Sequence, residues 1–432
     1  MSLKEKIKSV PALHRLGRTV KYAIPEFWAG LDLLWQRRLR REGPIKVGFL
    51  CQYLPAWEKL IPIYRRMQAD PRFEPVIIAI PSGIADNRLV HPESLENDTY
   101  DHLISHGYPE ALNALVGKEQ WLDLQKMELS YVFCLRPYND MMPAPYTSGA
   151  LSKHTRVCLI LYGMPFGKES DSEVSFNRGF ITHCYLYFAE NQAAMDRRMT
   201  QGKIRHKLGL QRTVRVGMPV AEVITESKGE ESPAWEFATG DFRVMWTPRW
   251  TSDKIMGGTN FFALKDAILD YARQNPKTDI LLRPHPLMFD NFVKTGELTR
   301  EEAECYKAQV AELPNTAFDP VKNYNATFWG TDVLVSDLSG MMPEFLFTGK
   351  PLIFCRNNME MPLMESVEQL FSACYTVYTK EELFQCLDRL RAGDDPLADK
   401  RRQELQRMFG EDPYGAAQKI MDVLIEDARY EA

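Results

Sequence analysis

Residues able to handle a phosphate group are concentrated in three short segments of the C-terminal half. The first is Arg283-Pro284-His285-Pro286, which directly follows the apolar run Ile280-Leu281-Leu282. The two prolines hold the backbone extended around the imidazole, so His285 is presented by a stiff turn. As a neutral donor or as an imidazolium, this side chain could neutralise charge on a diphosphate leaving group. The alternative is an isolated loop histidine with a structural role.

The second segment runs from Val335 to Phe345 and leads from an apolar run through a polar turn into a predicted helix. Ser339 is the expected N-cap of that helix, and Gly340 would let a ligand approach the exposed amides of its first turn, which favour phosphate. Glu344, one turn further on, could accept hydrogen bonds from ribose hydroxyls. The predicted donor-binding residues of this segment are Ser336, Asp337, Ser339, Gly340 and Glu344. The alternative is that Ser339 and Asp337 only cap the helix while Glu344 is solvated.

The third segment, from Met245 to Thr251, ends the first predicted strand of the same half. Arg249 could bind phosphate as a two-pronged fork, and Thr247 offers a hydroxyl. The indoles of Trp246 and Trp250 could stack on a base, or could equally pack the interface between domains.

Alternating strands and helices must position these segments. Apolar runs separated by stretches long enough for crossover helices predict parallel sheets covered on both faces, which is an α/β fold. In the first half we expect strands at Ile45–Leu50, Pro75–Ile80, Tyr131–Leu135, Val157–Leu161 and Tyr185–Ala189, and a helix over Trp57–Met67. In the second half we expect strands at Val244–Trp246, Ile280–Leu282, Val333–Val335 and Leu352–Phe354, and helices over Phe262–Arg273, Glu301–Glu312, Glu381–Arg391, Asp399–Phe409 and Gly415–Ala428.

This pattern divides into two Rossmann-like domains with flanking regions. We predict an N-terminal acceptor domain over 45–225, a C-terminal nucleotide-donor domain over 242–395, and a polar linker over 226–241. By fold analogy, the last helix within 396–432 is expected to cross back to the first domain. Two doubly wound domains that face each other leave a cleft at the carboxyl ends of their strands, where ligands of such sheets bind.

Bulk composition restricts the class of protein. A chain of 432 residues, 45% of them hydrophobic and 26% charged, is long enough for two domains and their appendages. Its formal charge of −5 argues against wholesale binding of nucleic acid. The 8 cysteines include no C-x-x-C pair, which indicates neither a zinc site nor a redox motif and favours a reducing compartment. No run is apolar enough to span a membrane and the start lacks a secretory signal, so a cytoplasmic protein is expected.

The N-terminal extension, residues 1–44, differs from the remainder in charge. Its first 41 residues carry ten basic and three acidic side chains, which gives a net charge of +7. Apolar stripes recur at helical spacing from Val10 to Ile24 and, after Pro25, from Phe27 to Trp35. An amphipathic pair of this kind suits the surface of an anionic membrane, where each basic residue contributes about 1 kcal/mol. An ordinary helical hairpin packed on the first domain is the alternative.

The order of the three segments resembles that of an enzyme family. W-T-P-R-W-T at 246–251, R-P-H-P at 283–286 and S-D-x-S-x-x-x-x-E-F at 336–345, followed by T-G-K-P-L-I-F, look like the C-terminal domain of the CDP-glycerol:poly(glycerophosphate) glycerophosphotransferases. The match covers Val244–Cys355 and reaches back into the first domain through Val214–Pro219.

The resemblance implies a GT-B architecture and transfer of glycerol phosphate from CDP-glycerol to a hydroxyl of a cell-envelope polymer or lipid-linked acceptor. CMP would be released, and no metal cofactor would be required. By the same carry-over, His285, Arg283 and Ser339 would handle the diphosphate, Glu344 would lie near the nucleotide, and Arg249 would belong to the same set.

Two motifs depart from the family pattern. Where the family presents W-H-G-T-P-x-K, this chain reads L-Y-G-M-P-F-G-K at 161–168, so Tyr162 replaces the histidine expected to act as general base. A phenol with an ordinary pKa of about 10 is a poor base at neutral pH, so Tyr162 could instead bind the acceptor, with Gly163 and Lys168 on the same side. The family's D-Y-S-S segment reads D-L-S-G at 337–340 and loses one hydroxyl. The alternative bases in the sequence are His154, His183, Asp140 and Asp171.

Two other functions stay open. The same two-domain arrangement serves glycosyltransferases that use a nucleotide sugar to build capsule or envelope polysaccharide. A catalytically silent relative that binds nucleotide and acts as a scaffold is the second alternative, and the tyrosine at 162 would explain it. The expected partners are a CDP-activated donor, an envelope or lipid-linked acceptor and an anionic membrane surface.

Overall fold

The computed structural model describes residues 27–52, 54–91, 93, 95–168, 178–356, 361–410, 412 and 414–429. They form two compact units: unit 1 comprises the described residues within 1–162, 171–216 and 417–432, and unit 2 those within 163–170 and 217–416. Two predictions lie outside the described residues, namely the amphipathic stripe from Val10 to Ile24 and the candidate base Asp171.

Unit 1 is built on a parallel sheet. Its strands are β1 (Ile45–Cys51), β2 (Phe73–Ala79), β3 (Ile84–Ala85), β4 (Arg88–Leu89), β5 (Leu112–Asn113), β6 (Leu115–Gly117), β7 (Gln120–Trp121), β8 (Tyr131–Cys134), β9 (Arg156–Ile160), β10 (Leu186–Ala189) and β11 (Arg212–Arg215). Seven of them pair in parallel in the order β11-β10-β9-β8-β1-β2-β5, while β3–β4 and β6–β7 are small antiparallel pairs. Strands β8 and β9 are buried at every position, as strands covered on both faces must be.

The helices of unit 1 flank this sheet. They are α1 (27–38), α2 (Leu54–Trp57), α3 (Ile61–Ala69), α4 (Asp98–Ser105), α5 (Ser148–Leu151), α6 (Arg178–Thr182), α7 (Gln192–Gln201) and α8 (Lys203–Lys207). The single helix predicted over Trp57–Met67 is wrong, because a 3-10 turn at Glu58–Leu60 separates α2 from α3. Pro62 lies in the first turn of α3, the helical position that tolerates a missing amide, so the helix restarts there.

Unit 2 has a second parallel sheet. Its strands are β12 (Phe242–Thr247), β13 (Thr278–Leu282), β14 (Thr316–Phe318), β15 (Val333–Ser336), β16 (Leu352–Cys355) and β17 (Tyr375–Val377). They pair in parallel in the order β14-β13-β12-β15-β16-β17. This is the doubly wound order of Rossmann sheets, in which the direction of winding reverses between β12 and β15.

The helices of unit 2 follow its strands along the chain. They are α9 (Val220–Glu226), α10 (Phe261–Gln274), α11 (Met288–Thr295), α12 (Arg300–Glu312), α13 (Asn325–Gly330), α14 (Met341–Phe345), α15 (Glu365–Phe371), α16 (Lys380–Arg391) and α17 (Ala398–Phe409). A capping box of Thr299 and Glu302 begins α12 where the sequence predicts a helix.

The stretch predicted as a linker, 226–241, is instead a packed part of unit 2. Trp235 is 4% exposed, and its indole donates a hydrogen bond to the Thr327 carbonyl at 3.2 Å. The Trp329 indole likewise donates to the Ile224 carbonyl at 2.5 Å, which ties α9 to α13. Trp235 is buried and Trp329 half-buried, and the main part of unit 2 begins at Gly217, earlier than the predicted boundary.

The last helix, α18 (Ala416–Arg429), packs into the core of unit 1. Its buried face supplies Ala417, Ile420, Met421 and Leu424. The chain therefore leaves unit 1, forms unit 2 and returns.

A buried carboxylate on α18 fixes the helix to the sheet of unit 1. Asp427 accepts hydrogen bonds from the phenols of Tyr131 at 2.7 Å and Tyr185 at 2.9 Å, and from Arg212 Nη1 at 3.0 Å. Arg156, only 2% exposed, has its Nε 3.4 Å from the same carboxylate. Two arginines and two phenols thus compensate one buried negative charge.

Helix α1 docks on unit 1 with one side and exposes the other. Its buried residues are Ala29, Leu33 and Gln36, and the Gln36 side chain accepts a hydrogen bond from the Val157 amide at 2.9 Å. The exposed side carries Phe27, Trp28, Leu31 and Trp35, with 63%, 60%, 44% and 41% of their surface accessible. Among the helices that the structure describes, none is long and apolar enough to cross a bilayer.

Candidate functional site

Two of the predicted segments meet at the carboxyl edge of unit 2. Thr247 and Ser336 are register partners at the ends of β12 and β15, where the winding of the sheet reverses and ligands of doubly wound sheets bind. The third segment adjoins them, because the Arg283 amide donates to the Trp246 carbonyl at 2.8 Å and the His285 amide to the Pro248 carbonyl at 3.4 Å. All three loops therefore form one edge.

The hydroxyls of the two register partners lie beneath that edge. Thr247 is 3% exposed and donates to the Val335 carbonyl at 3.3 Å. Ser336 is fully buried and donates to the Asp337 carbonyl at 2.6 Å. The structure gives both hydroxyls a role in the sheet, in place of the ligand contact predicted for them.

Asp337 is buried behind the edge and holds its loops together through hydrogen bonds. Its carboxylate is 1% exposed and accepts hydrogen bonds from the Arg249 amide at 2.8 Å, from the Thr259 hydroxyl at 2.9 Å and from the side-chain nitrogen of Asn260 at 2.8 Å. Burial raises the pKa of this carboxyl, and the hydrogen bonds oppose that rise. Asp337 thus joins the loop after β12 to the start of α10, which makes it a positioning residue and not a ligand contact.

Arg249 is the cation that this arrangement holds at the edge. Its side chain is half-buried, and Nη1 donates to the Leu338 carbonyl. The Nε atom has no hydrogen-bond partner among the residues that the structure describes. Burial lowers the pKa of the guanidinium, while the charge of Asp337 opposes this shift. A guanidinium held in this way suits a phosphate oxygen.

His285 is exposed next to Arg249. Its Nδ1 accepts a hydrogen bond from the Leu287 amide at 3.2 Å, and its ring centroid lies 6.0 Å from that of Trp250. Partial burial of the ring lowers the pKa of the imidazole, and the Arg249 charge lowers it further. With Nδ1 as acceptor, the neutral ring carries its proton on Nε2, so His285 presents an N–H donor at neutral pH.

The turn after β15 differs from its prediction. Helix α14 begins after Gly340, none of the described side chains caps it, and the Ser339 hydroxyl lies 3.0 Å from that of Ser336. The predicted N-cap role of Ser339 is therefore wrong. Ser339 is half-buried and Gly340 is exposed, and space around Gly340 is open, so both remain at the surface of the edge.

The guanidinium of Arg283 points into a neighbouring loop. Its Nη1 donates to Asp319 at 2.5 Å and to the Val321 carbonyl at 2.6 Å, and its Nη2 donates to the Lys322 carbonyl at 2.7 Å. The guanidinium also lies 4.9 Å from the ring centroid of Tyr324. Arg283 thus fixes the loop after β14, because Asp319 is a fully buried carboxylate that requires a cation. The structure does not support the predicted contact with a diphosphate.

Glu344 is buried as well. Its exposed fraction is 0%, and it accepts a hydrogen bond from the Tyr324 phenol at 2.5 Å. It lies on the buried side of α14, one turn after Gly340. A buried carboxylate bonded to a phenol does not fit the ribose contact predicted for Glu344.

The segment predicted on the acceptor side belongs to unit 2. Gly163 and Lys168 both fall within it, although the sequence assigned them to the first domain. The Lys168 amide donates to the Pro362 carbonyl at 2.8 Å, and the Phe166 carbonyl accepts from the Met364 amide at 2.8 Å. Phe166 also packs against Phe371, 5.8 Å between ring centroids. An apolar contact thus draws this segment onto unit 2.

Tyr162 remains in unit 1, beyond the carboxyl end of β9, with 36% of its surface exposed. Two of the alternative bases lie at the other edge of the sheet, because His154 precedes β9 and His183 precedes β10. His183 is also engaged by Asp32 at 3.4 Å. Asp140 lies after β8, at the same edge as Tyr162, and is exposed. The structure thus removes both histidines from the proposed set of bases.

Glu190 was missed by the sequence analysis. It follows β10 directly, next to the carboxyl end of β9, and is 7% exposed. Neither carboxylate oxygen has a hydrogen-bond partner among the described residues, and burial raises the pKa of the group. The sequence signal was an acidic residue at the end of an apolar strand, the same signal that drew attention to the segments of unit 2.

No cluster of histidine, cysteine and acidic side chains within the described residues could hold a metal ion.

Solved structures share the fold. A UDP-N-acetylglucosamine 2-epimerase is 12% identical, with a TM-score of 0.60 and coverage of 90% of this chain and 98% of that one. The UDP-GlcNAc 2-epimerase from Neisseria meningitidis is 13% identical, with a TM-score of 0.59 and coverage of 88% and 100%. A structure of the wall teichoic acid polymerase TagF is 15% identical, with a TM-score of 0.58 and coverage of 96% and 97%. This likeness confirms the predicted α/β fold of the GT-B type with two parallel sheets.

Sequence comparison identifies the family. No curated protein matches the chain at a significant level. Residues 197–426, which are more than half of the chain, match the family model of the CDP-glycerol:poly(glycerophosphate) glycerophosphotransferases. The matched range includes all three segments at the carboxyl edge of unit 2. The chain therefore belongs to this family of transferases, which act on CDP-glycerol and a glycerophosphate polymer.

Proposed function

We propose that the carboxyl edge of unit 2, formed by the loops after β12, β13 and β15, binds the diphosphate of CDP-glycerol. His285 is the observation that carries this proposal. It is exposed beside the loop that follows β12, to which its amide is bonded, its ring is oriented by the Leu287 amide, and its Nε2–H is a donor while the ring is neutral. Arg249 adds positive charge beside it, and Ser339 and Gly340 offer a hydroxyl and a backbone amide.

The proposed chemistry is an in-line displacement. A hydroxyl of the acceptor attacks the β-phosphorus of CDP-glycerol and its proton passes to water. A new oxygen–phosphorus bond forms, and the bond to the CMP oxygen breaks. Negative charge then moves onto the leaving CMP, where fixed donors and cations lower its energy. In this reaction His285 and Arg249 stabilise the leaving group, while the buried Asp337 keeps the Arg249 loop in place.

We also propose that the transfer requires no metal ion, because Arg249 and His285 supply the donors that the leaving group needs. Full activity in the presence of EDTA is the expected result. Loss of activity in EDTA, restored by Mg²⁺, would contradict this part of the proposal.

Release of CMP from CDP-glycerol, measured with a glycerophosphate oligomer as acceptor, tests the proposed function. His285→Ala should lower kcat by about 100-fold, the typical cost of removing one donor to a developing negative charge. His285→Gln keeps an N–H donor and should retain more activity than the alanine variant. His91→Ala is the matched control, since His91 is an exposed histidine of unit 1.

Further arms of the same experiment separate the alternatives. Turnover of a UDP-sugar in place of CDP-glycerol would favour the glycosyltransferase function. Binding of CDP-glycerol without release of CMP from any acceptor would favour the scaffold. A His285→Ala variant as active as the wild type would reject the proposed site.

We propose, in addition, that the exposed face of α1 binds an anionic membrane surface. Phe27, Trp28, Leu31 and Trp35 form an apolar stripe, and basic side chains follow it at 37, 38, 40 and 41. Aromatic rings next to basic residues are the composition of helices that lie in the membrane interface. The acceptor of such a transferase, if lipid-linked, would be met at the same surface.

Sedimentation with lipid vesicles tests this second proposal. The wild-type chain should sediment with phosphatidylglycerol-containing vesicles and much less with pure phosphatidylcholine. The double variant Trp28→Ser, Trp35→Ser should lose most of this binding at an unchanged melting temperature. Tyr378→Ser, which removes an aromatic ring that is 63% exposed in unit 2, is the control. Equal binding of the double variant and the control would contradict the proposal.

A further inference from the structure

The sheet of unit 1 has its own reversal point, which the proposed donor site does not use. Its strand order winds outward in one direction from β1 through β2 to β5, and in the other from β8 to β11. Strands β1 and β8 are therefore the pair at which ligands of such a sheet bind. Gln52 directly follows β1, and Arg136 follows β8 by two residues.

Gln52 is built to hold Arg136. The amide side chain is 5% exposed, and its Nε2 donates to the Pro81 carbonyl at 3.3 Å and to the Met141 carbonyl at 2.6 Å. These two acceptors fix which end of the amide is nitrogen, so Oε1 must face the other way. There it accepts a hydrogen bond from Arg136 Nη2 at 2.7 Å. A neutral, buried side chain thus orients the guanidinium.

The Tyr138 phenol lies within the electrostatic reach of this guanidinium, and the Tyr162 phenol lies close to Tyr138. Burial raises the pKa of the half-buried Tyr138 phenol, the neighbouring Tyr162 adds to the rise, and the Arg136 charge offsets part of it. A cavity of about 20 Å³, lined by Gln52, Arg136 and Tyr138 among others, lies at the same place. Its size corresponds to roughly one water molecule. Arg136, Tyr138 and Tyr162 thus form a cationic, hydroxyl-bearing surface at the ligand-binding edge of unit 1.

We propose that Arg136 binds a phosphodiester group of the acceptor chain. This inference rests on the proposed function, because it assigns the acceptor side of the same transfer. A guanidinium whose fork is oriented by a fixed partner matches the geometry of a phosphate oxygen pair, and phenolic hydroxyls can donate to the same group. The residue therefore determines specificity for a polyanionic acceptor over an uncharged one.

Steady-state kinetics of Arg136→Ala with two acceptors test the inference. One acceptor is a short glycerol phosphate oligomer, and the other is an uncharged glycerol oligomer of the same length. We expect the KM of the phosphate acceptor to rise by at least tenfold, which is the loss of one charge-assisted hydrogen bond. The KM of CDP-glycerol and the KM of the uncharged acceptor should change less than twofold. Arg136→Lys, which keeps the charge but not the fork, should give an intermediate KM.

Arg72→Ala is the matched control. Arg72 directly precedes β2 and therefore lies at the amino edge of the same sheet, where it pairs with Asp70 at 2.6 Å. Its removal changes the net charge equally and should leave the acceptor KM within twofold. An unchanged acceptor KM in Arg136→Ala, or an equal rise in Arg72→Ala, would overturn the inference.

Calorimetry without donor keeps the test independent of the proposed function. If the wild-type chain releases no CMP from CDP-glycerol, the proposed function fails, while binding of the glycerol phosphate oligomer can still be measured. Weaker binding in Arg136→Ala and in Arg136→Lys supports the phosphate site in that case too. Binding equal to that of the wild type in both variants rejects it, and the lysine variant covers the outcome in which the alanine variant does not fold.

Discussion

Replacement of Asp427 by alanine is the perturbation whose effect on stability the structure defines best. This carboxylate is 4% exposed and compensates Arg156, itself 2% exposed, while two phenols donate to it at 2.7 and 2.9 Å. Its removal leaves a buried cation and two buried hydroxyls without their acceptor. Breaking a buried ion pair in this way costs about 3–5 kcal/mol. Because a domain is stable by only about 5–15 kcal/mol, the variant should lose roughly a fifth or more of its free energy of unfolding.

Urea denaturation followed by circular dichroism measures this loss, and hydrogen exchange of the α18 amides locates it. Asp427→Asn keeps one acceptor oxygen and should lose less than the alanine variant. The matched control is Asp422→Ala, because Asp422 is exposed on the same helix and bonds Gln418 at 2.9 Å, and its loss should lie within about 0.5 kcal/mol. A free energy of unfolding for Asp427→Ala as close to wild type as that of the control would refute the reasoning.

Three further predictions concern titratable groups of the two units. Arg283→Ala leaves the fully buried Asp319 without its cation, so urea denaturation should show that the free energy of unfolding falls by about 3–5 kcal/mol. Unchanged stability together with a raised KM for CDP-glycerol would instead indicate that Arg283 contacts the ligand. Burial raises the pKa of Glu190, so the folded chain binds the carboxyl proton more tightly than the unfolded chain and loses stability as pH rises above the ordinary range of glutamate. The melting temperature of Glu190→Gln relative to wild type should therefore be higher at pH 8 than at pH 5. An equal difference at both pH values would contradict this prediction. Partial burial and the charge of Arg249 lower the pKa of His285. An NMR titration of the ring, with its signal assigned by comparison with His285→Ala, should have its midpoint below the ordinary histidine value. A midpoint above that value would contradict this prediction.

Strand positions followed from the sequence because strands buried on both faces are continuous apolar runs. The predicted strand Ile280–Leu282 lies within β13, and the predicted helix Glu301–Glu312 is α12 without its first residue. The helix over Trp57–Met67 failed because its apolar spacing is continuous through Pro62, although the proline can be accommodated only in a first turn. Periodicity thus located the elements, and local backbone chemistry decided where they break.

The sequence predicted the location of the candidate site but not the role of each residue in it. Arg283, His285 and Asp337 all follow predicted strands, and the structure confirms that they lie at one edge. Their roles depend on partners distant in sequence, since Asp319 takes the Arg283 guanidinium and the start of α10 takes the Asp337 carboxylate. No local sequence pattern indicates such a distant partner, so the sequence analysis assigned ligand contacts to side chains that the structure pairs within the protein.

The return of α18 to unit 1 determines the order in which the polypeptide can mature on the ribosome. Tyr131 and Tyr185 are synthesised early, but Asp427, which accepts hydrogen bonds from their hydroxyls, is synthesised only after all of unit 2 has been made. Until then, the cleft in the core that α18 fills stays open and its apolar lining faces solvent. Unit 1 is therefore the first unit to be synthesised and the last to complete its core. During this interval the nascent chain most needs protection from aggregation.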